Sequence, residues 1–184
     1  ALEQTTTGAN NTAVGRRAML VHSTGDANVA VGAYALDANT TASYNVAVGY
    51  AAMGANTTGT NNVALGYAAL DANTTGTNNT AIGFDVLTAS TTAVNNTGVG
   101  KDALQDVTTG NSNTAVGEAC IREVTTGTTN TALGVNCGLN LTTGSNNLLL
   151  GFEAGSSNSP TGAIGTGSNN ICLGNNSITD IYCA

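Results

Sequence analysis

A glycine returns every seventeen residues along this chain, at Gly15, Gly32, Gly49, Gly66, Gly83, Gly100, Gly117, Gly134 and Gly151. Each closes an Asn-x-small-aliphatic-Gly word. A tenth copy closes at Gly174 after a step of 23, so six extra residues precede it. A fixed short period marks a stacked architecture, in which one repeat is one structural unit that cannot bury its apolar face alone. Such a stack spans distance and displays a surface. It is poorly suited to converging unlike residues on one reacting atom.

The unit begins with Thr-Thr-Gly. After two variable residues comes an asparagine that never changes: Asn11, Asn28, Asn45, Asn62, Asn79, Asn96, Asn113, Asn130, Asn147 and Asn170. A β-branched or aliphatic residue follows, then a small one, then Val, Leu or Ile, then the glycine. That alternation predicts a short strand with one bulky face and one face of Ala and Gly. The later Ala-Leu pair (Ala35-Leu36, Ala69-Leu70, Ala103-Leu104) reads as a second short strand with Leu inward. Recurrent glycine and β-branched residues oppose a helix of useful length. Thr-Thr-Gly reads as a turn whose glycine supplies positive φ. Ala42 and Ala93 stand in that glycine's place, so the turn does not strictly demand it.

The expected fold is therefore all-β, a parallel β-roll or β-helix of ten 17-residue rungs. Residues 1–154 form nine rungs of shaft, 155–167 an inserted loop and turn around the only proline, 168–176 the tenth rung, and 177–184 a C-terminal linker. Stacking turns every repeat position into a ladder spaced about 4.8 Å, giving a rod roughly 45 Å long. Ten stacked asparagines bond to one another and to turn backbone, which favours a structural role for them over ligand contact. A coil this slender encloses about three bulky residues per rung, too few to offset its chain entropy. The Ala/Gly strand face (Ala13, Gly15, Ala30, Gly32) fits close approach of another chain. An oligomer is expected, most simply a homotrimer.

Charged residues are 8% of the chain, with four Lys and Arg and a net charge of −7. Without a basic stripe or an amphipathic basic segment, nucleic acid and membrane insertion are not expected as partners. The regular aliphatic phase argues against disorder despite the abundant Gly, Asn and Thr. The chain enters the repeat almost at once with no apolar leader, as a segment of something longer would. No catalytic set, cofactor motif or metal-ligand spacing emerges. His22 is the only histidine and has no acid or nucleophile in phase with it, so a surface role is favoured. Cys120 and Cys137 share a position held elsewhere by Ala, and Cys172 replaces a strand alanine, as small buried fillers do. Adjacent rungs would bring Cys120 and Cys137 within about 5 Å at Cα, which leaves a disulfide open beside the favoured pair of thiols.

The words Asn62-Val63-Ala64-Leu65-Gly66, Asn79-Thr80-Ala81-Ile82-Gly83 and Asn113-Thr114-Ala115-Val116-Gly117, spaced by Thr-Thr-Gly, resemble repetitive segments of bacteriophage tail fibres and related viral spikes. The resemblance covers roughly residues 5 to 176. It implies a trimeric fibre preceding an intramolecular chaperone domain of the endosialidase type, toward which the residues after Gly174 would lead. The strand word is also similar to the head repeats of trimeric autotransporter adhesins. Three functions follow as expectations. The first is a non-catalytic shaft of a tail fibre or spike, located on the virion and serving host attachment. The second is a bacterial surface adhesin head, extracellular, binding matrix, a host glycan or a receptor. The third is an ice-binding solenoid, because Thr7, Thr24, Thr41, Thr58, Thr75, Thr92, Thr109, Thr126, Thr143 and Thr166 form an unbroken ladder. Against the third, adjacent Thr-Thr pairs point to opposite sides and leave one column rather than two. Tyr50, Tyr67 and Phe84 in successive rungs are weak glycan candidates, with aromatic cover or a subunit seam as the favoured reading. The loop at 155–162 is the best single place for recognition, and an insertion without a role is as good a reading.

Overall fold

The computed structural model describes residues 7–21, 23–160 and 162–178; His22, Cys183 and the last residues of the expected linker lie outside them. Ten three-residue strands form one parallel sheet in chain order. They are β1 (Thr12–Val14), β2 (Val29–Val31), β3 (Val46–Val48), β4 (Val63–Leu65), β5 (Thr80–Ile82), β6 (Thr97–Val99), β7 (Thr114–Val116), β8 (Thr131–Leu133), β9 (Leu148–Leu150) and β10 (Ile171–Leu173). Register is strict: Val46 pairs with Val63, Ala47 with Ala64, Val48 with Leu65, and so on along the stack. The chain is a parallel β-solenoid with one strand per coil, and no helix occurs among the described residues.

The glycine after each strand explains the invariance of the period. Gly66 has φ +140°, and a Cβ there would collide with the backbone of Gly83 in the next rung. The strand column and the glycine column therefore lock at one spacing. Backbone bonds continue past the strands: Val63 N–H donates to Asn79 O at 2.8 Å and Gly66 N–H to Val48 O at 2.8 Å.

The Ala-Leu pair is not a second strand. The first seven rungs each carry two left-handed non-glycine residues there, such as Ala51 (φ 54°) and Met53 (φ 51°), joined by successive turns; in the next two the second is Gly138 or Gly155. Gly54 N–H donates to Ala51 O and Asn56 N–H to Met53 O, both at 3.1 Å. Extended residues would carry the chain past the corner that a seventeen-residue coil must turn. The bulky side chain still points inward: Met19, Leu36, Met53, Leu70, Leu87 and Leu104 are fully buried. Left-handed backbone at such residues costs of order 1 kcal/mol each, and the surrounding ladders hold it in place. The glycine of Thr-Thr-Gly, by contrast, does not have positive φ. Its constraint is room, since a Cβ on Gly59 would press on Gly76 O and on the amides of Asn56 and Asn73.

The interior is thinner than three bulky residues per rung. Most rungs hold one Leu, Met or Ile, a strand alanine, and a second alanine or cysteine, beside the buried asparagines; Val86, Gly98 and Leu149 are the departures. Cys120 and Cys137 are buried thiols. Parallel in-register Cβ atoms stay about a rung apart, near 4.8 Å, beyond the ~3.5–4.5 Å that a disulfide uses.

Polar satisfaction runs between rungs. Asn62 Oδ1 accepts the backbone N–H of Asn79 at 2.9 Å and its Nδ2 at 3.2 Å, while Asn79 Nδ2 also donates to Ala93 O at 2.8 Å. The same triad recurs at Asn45, Asn113 and Asn130. A second, inner column consists of Asn39, Asn56 and Asn73, which donate to the Thr-Thr-Gly carbonyls Ala42 O, Gly59 O and Gly76 O. It passes through buried Ser90 and becomes apolar at Val107, Val124 and Leu141. At that junction Asn73 Oδ1 and Ser90 Oγ are buried with no hydrogen-bond partner in the protein.

Asn79→Leu removes the acceptor for Asn96 N–H (3.0 Å) and the donor to Ala93 O. Leaving these buried groups unmatched costs about 2–4 kcal/mol. Thermal unfolding should fall by roughly 5–12 °C on the scale for a chain of this size; an unchanged melting temperature would remove the structural role of the column.

Candidate functional surfaces

A rod of repeated rungs offers columns rather than a cleft, and the coil distributes chemistry unevenly between them. Among the described charged side chains, all but Asp26 stand on the loop side, between the strand's glycine and the inner asparagine column. Their ion pairs lie there too: Arg17 with Asp37 at 3.2 Å, Lys101 with Asp102 at 3.1 Å and Glu118 at 3.8 Å, Arg122 with Glu123 at 3.2 Å. The strand side and the Thr-Thr-Gly side carry almost no charge.

On the strand side, the orientation is opposite to the expected one. The strand alanines Ala30, Ala47, Ala64, Ala81 and Ala115 face the interior and are fully buried. The β-branched and aliphatic residues on either side of them face outward. Val14 is 57% exposed, Leu65 45%, Leu133 52% and Ile171 73%. A small residue fits between strand and opposite wall where the corner carries Leu, Met or Ile; in β9 the same position is the fully buried Leu149, with Gly138 and Gly155 at the corners leaving room for it. The Ala/Gly face is thus the core wall, and the face available to another chain is a double apolar column, interrupted by Thr12, Thr80, Thr97, Thr114 and Thr131. Beside it runs an exposed column rich in asparagine, with Asn78 Nδ2 bonded to Asn95 Oδ1 at 3.2 Å and Asn146 to Asn169 at 2.8 Å. Between these columns lies a groove of about 350 Å³ lined by Thr129, Thr131, Asn146, Leu148, Asn169 and Ile171.

Tyr50, Tyr67 and Phe84 form one continuous stack. Ring centroids are 5.3 Å and 5.1 Å apart and the planes are within 8° and 10° of parallel. Tyr34 extends the column edge-on at 5.6 Å, and Arg16 and Arg17 sit 5.4 Å and 5.5 Å from its ring centre. In the rung after Phe84 the same position is Lys101. Sugar recognition by aromatics uses the ring face. Here the faces between Tyr50, Tyr67 and Phe84 are covered by one another. The geometry is that of aromatic cover on the loop side.

The acidic groups on this side include two raised carboxyls. Burial pushes the Asp71 carboxyl above its ordinary range, opposed by the Gly54 backbone N–H and reinforced by Asp85. Asp85 is raised by burial and then by Asp102, with Lys101 opposing. Lys101 is raised in turn, chiefly by its hydrogen bond to Asp102. The Cys120 thiol is also pushed up, by its hydrogen bond with Cys137 and by burial, so it stays protonated. Among the described residues no group of three or more His, Cys, Asp or Glu is arranged to hold a metal ion.

On the Thr-Thr-Gly side the two threonines part company. The hydroxyl of the first bonds to the next rung: Thr57 Oγ1 donates to Thr74 O and Thr74 Oγ1 to Thr91 O, both at 3.0 Å. The second faces solvent in all ten rungs from Thr7 to Thr166. The inserted segment after Gly155 partly folds back onto the stack. Ser156 and Ser159 are buried, Ile164 packs against the core, and Ile164 N–H returns to Gly155 O at 3.2 Å. Ser157, Asn158 and Pro160 form its exposed tip, and Asn158 Nδ2 donates to Glu153 Oε2 at 3.0 Å.

The outward strand columns and the inner asparagines were the features that sequence reasoning missed. The first had no signal, because alternation alone does not say which face is inside. The second had one, in the recurrence Asn39-Thr40-Thr41, Asn56-Thr57-Thr58 and Asn73-Thr74-Thr75.

Comparison with protein-family models, with curated proteins and with solved structures returns no match for this chain.

A carboxyl raised by folding holds its proton more tightly in the native state, so it lowers stability as pH rises through about 4 and beyond. Asp71→Asn should therefore raise the melting temperature at pH 7 and leave it unchanged near pH 2.5. Thermal melts of both proteins across that range check this; an equal effect at both pH values would assign the change to something other than the charge.

Proposed function

We propose that this chain is a non-catalytic shaft segment that assembles side by side with copies of itself, in a trimeric fibre or spike of the bacteriophage tail-fibre kind. The observation that carries the reading is the outer face of β1–β10, where one unbroken aliphatic column runs beside a column shared by aliphatic residues and threonine, both at least partly exposed and uncharged along the whole stack. Exposed apolar patches of this extent mark interaction surfaces. With the asparagine column beside it the strip is about 45 Å by 16 Å, close to the ~800 Å² per partner of a stable interface. A second copy suits it best because only a rod with the same rung spacing stays in step over ten rungs. Three copies round one axis would bury the column of each. The thin interior supports the same reading, since most of the bulky aliphatic side chains of the strands gain burial only between chains. The bacteriophage assignment rests on the Asn-to-Gly words spaced by Thr-Thr-Gly, and the role in attachment follows from it: a stiff spacer that holds another part of the fibre away from the virion.

Sedimentation or light-scattering mass tests this. The chain should run as three times 18.1 kDa. Leu65→Glu with Leu133→Glu should shift it to one chain and lower its melting temperature. A stable monomer at tens of micromolar, melting as the variant does, would overturn the proposal.

A further inference from the structure

We propose that the Thr-Thr-Gly side of the coil binds ice, through an unbroken column of outward threonines and a second, interrupted column of threonine and serine beside it, held in register by buried asparagines. This goes beyond the shaft reading and concerns a different side of the rod.

Adjacent Thr-Thr pairs give only one outward column. The structure supplies the second two residues further on. In Thr58-Gly59-Thr60, Thr75-Gly76-Thr77 and Thr126-Gly127-Thr128 the glycine is buried and the flanking threonines point outward, the first exposed and the second half-exposed. Ser43, Ser145 and Ser168 continue the second column, which is interrupted at Ala9, Asp26, Val94 and Asn111. Spacing is about 4.8 Å along each column. That period lies close to a repeat of the oxygen lattice on a face of hexagonal ice.

The array is stiff. Gly59 O, between the two threonines, accepts Asn45 Nδ2 at 2.8 Å and Asn56 Nδ2 at 3.0 Å from inside the coil. The second column is fixed from the next rung as well: Ser43 Oγ accepts the N–H of Asp26 at 2.9 Å and Ser145 Oγ that of Thr128 at 3.0 Å. In the exposed column the hydroxyls are not drawn into the fold, because the bond to the next rung belongs to the preceding threonine. Preorganisation of this sort removes the ordering cost that a flexible hydroxyl surface would meet on binding.

The ligand follows from the period. One threonine holds water weakly, and ten in step hold strongly only a ligand that repeats at the same interval. Such a ligand must be uncharged and rich in hydrogen-bonding oxygen, because among the described residues this side carries no charged side chain but Asp26. A polysaccharide chain would call for aromatic faces or a cleft. The stacked aromatics stand on the loop side, with the faces between them covered by one another.

The test is partition of the protein into slowly grown ice, together with thermal hysteresis. The intact protein should enter the ice and depress the freezing point below the melting point. Thr75→Lys with Thr126→Lys should lose most of both effects while circular dichroism and the melting temperature stay as they were. Leu65→Glu, on the strand side, should retain ice adsorption. If the lysine variant does not fold, Thr75→Ser with Thr126→Ser keeps the hydroxyls and removes the methyls, and a partial loss is expected. Exclusion of the intact protein from ice would overturn the proposal, as would full activity in a folded lysine variant or in the serine variant, or binding to crystalline cellulose with none to ice. Chain mass is read separately, so a trimer excluded from ice would sink this inference and leave the shaft reading standing.

Discussion

Everything in this molecule depends on each coil landing on the next at one fixed spacing. Two contacts enforce it. The glycine after each strand lets successive backbones approach until a Cβ would collide. The buried asparagine then bridges three levels, accepting from the rung above while donating to the rung below and to the turn. Neither contact works alone. Close approach without the amide would bury backbone groups unpaired, and an amide without close approach would not reach its neighbour. The left-handed residues at every corner persist because these ladders determine the path more strongly than local preference does.

That constraint sorts what could be read from the sequence from what could not. The glycine period, the invariant asparagine and the short strand were all legible, because each is a direct image of a stacking contact. The Ala-Leu corner was not. Leu36 and Leu70 adopt left-handed backbone that their residue type disfavours, and only closure of the coil imposes it. Nor was the direction of the strand alanines: Ala47 and Ala64 serve as well against a partner as against the opposite wall, and the wall's distance decides. The inner asparagine column was half visible. It reads clearly through Asn73 and then dissolves into Ser90, Val107 and Val124, since an apolar residue fills the same space once its neighbours no longer need an amide. For the surfaces, the Tyr50-Tyr67-Phe84 column could be found by counting, but the coverage of its ring faces required coordinates.

A consequence of the stack is that function is distributed by side rather than by residue. Charge and ion pairs collect on the loop side, where exposed corners tolerate them. The strand side is apolar and suits lateral association. The threonine side is hydroxylated, regular and clamped from within. A single substitution on any side alters one tenth of a column, so activity in such a protein should fade with successive changes rather than vanish with one.

Amide hydrogen exchange resolved by residue tests the stacking account most directly. The backbone N–H groups of Asn45, Asn62, Asn79, Asn96, Asn113 and Asn130, each bonded to a side-chain oxygen of the preceding rung, should exchange as slowly as the central strands, with protection declining toward both ends of the rod. Rapid exchange at these asparagines in otherwise folded protein, or protection greatest at one end of the rod, would contradict it.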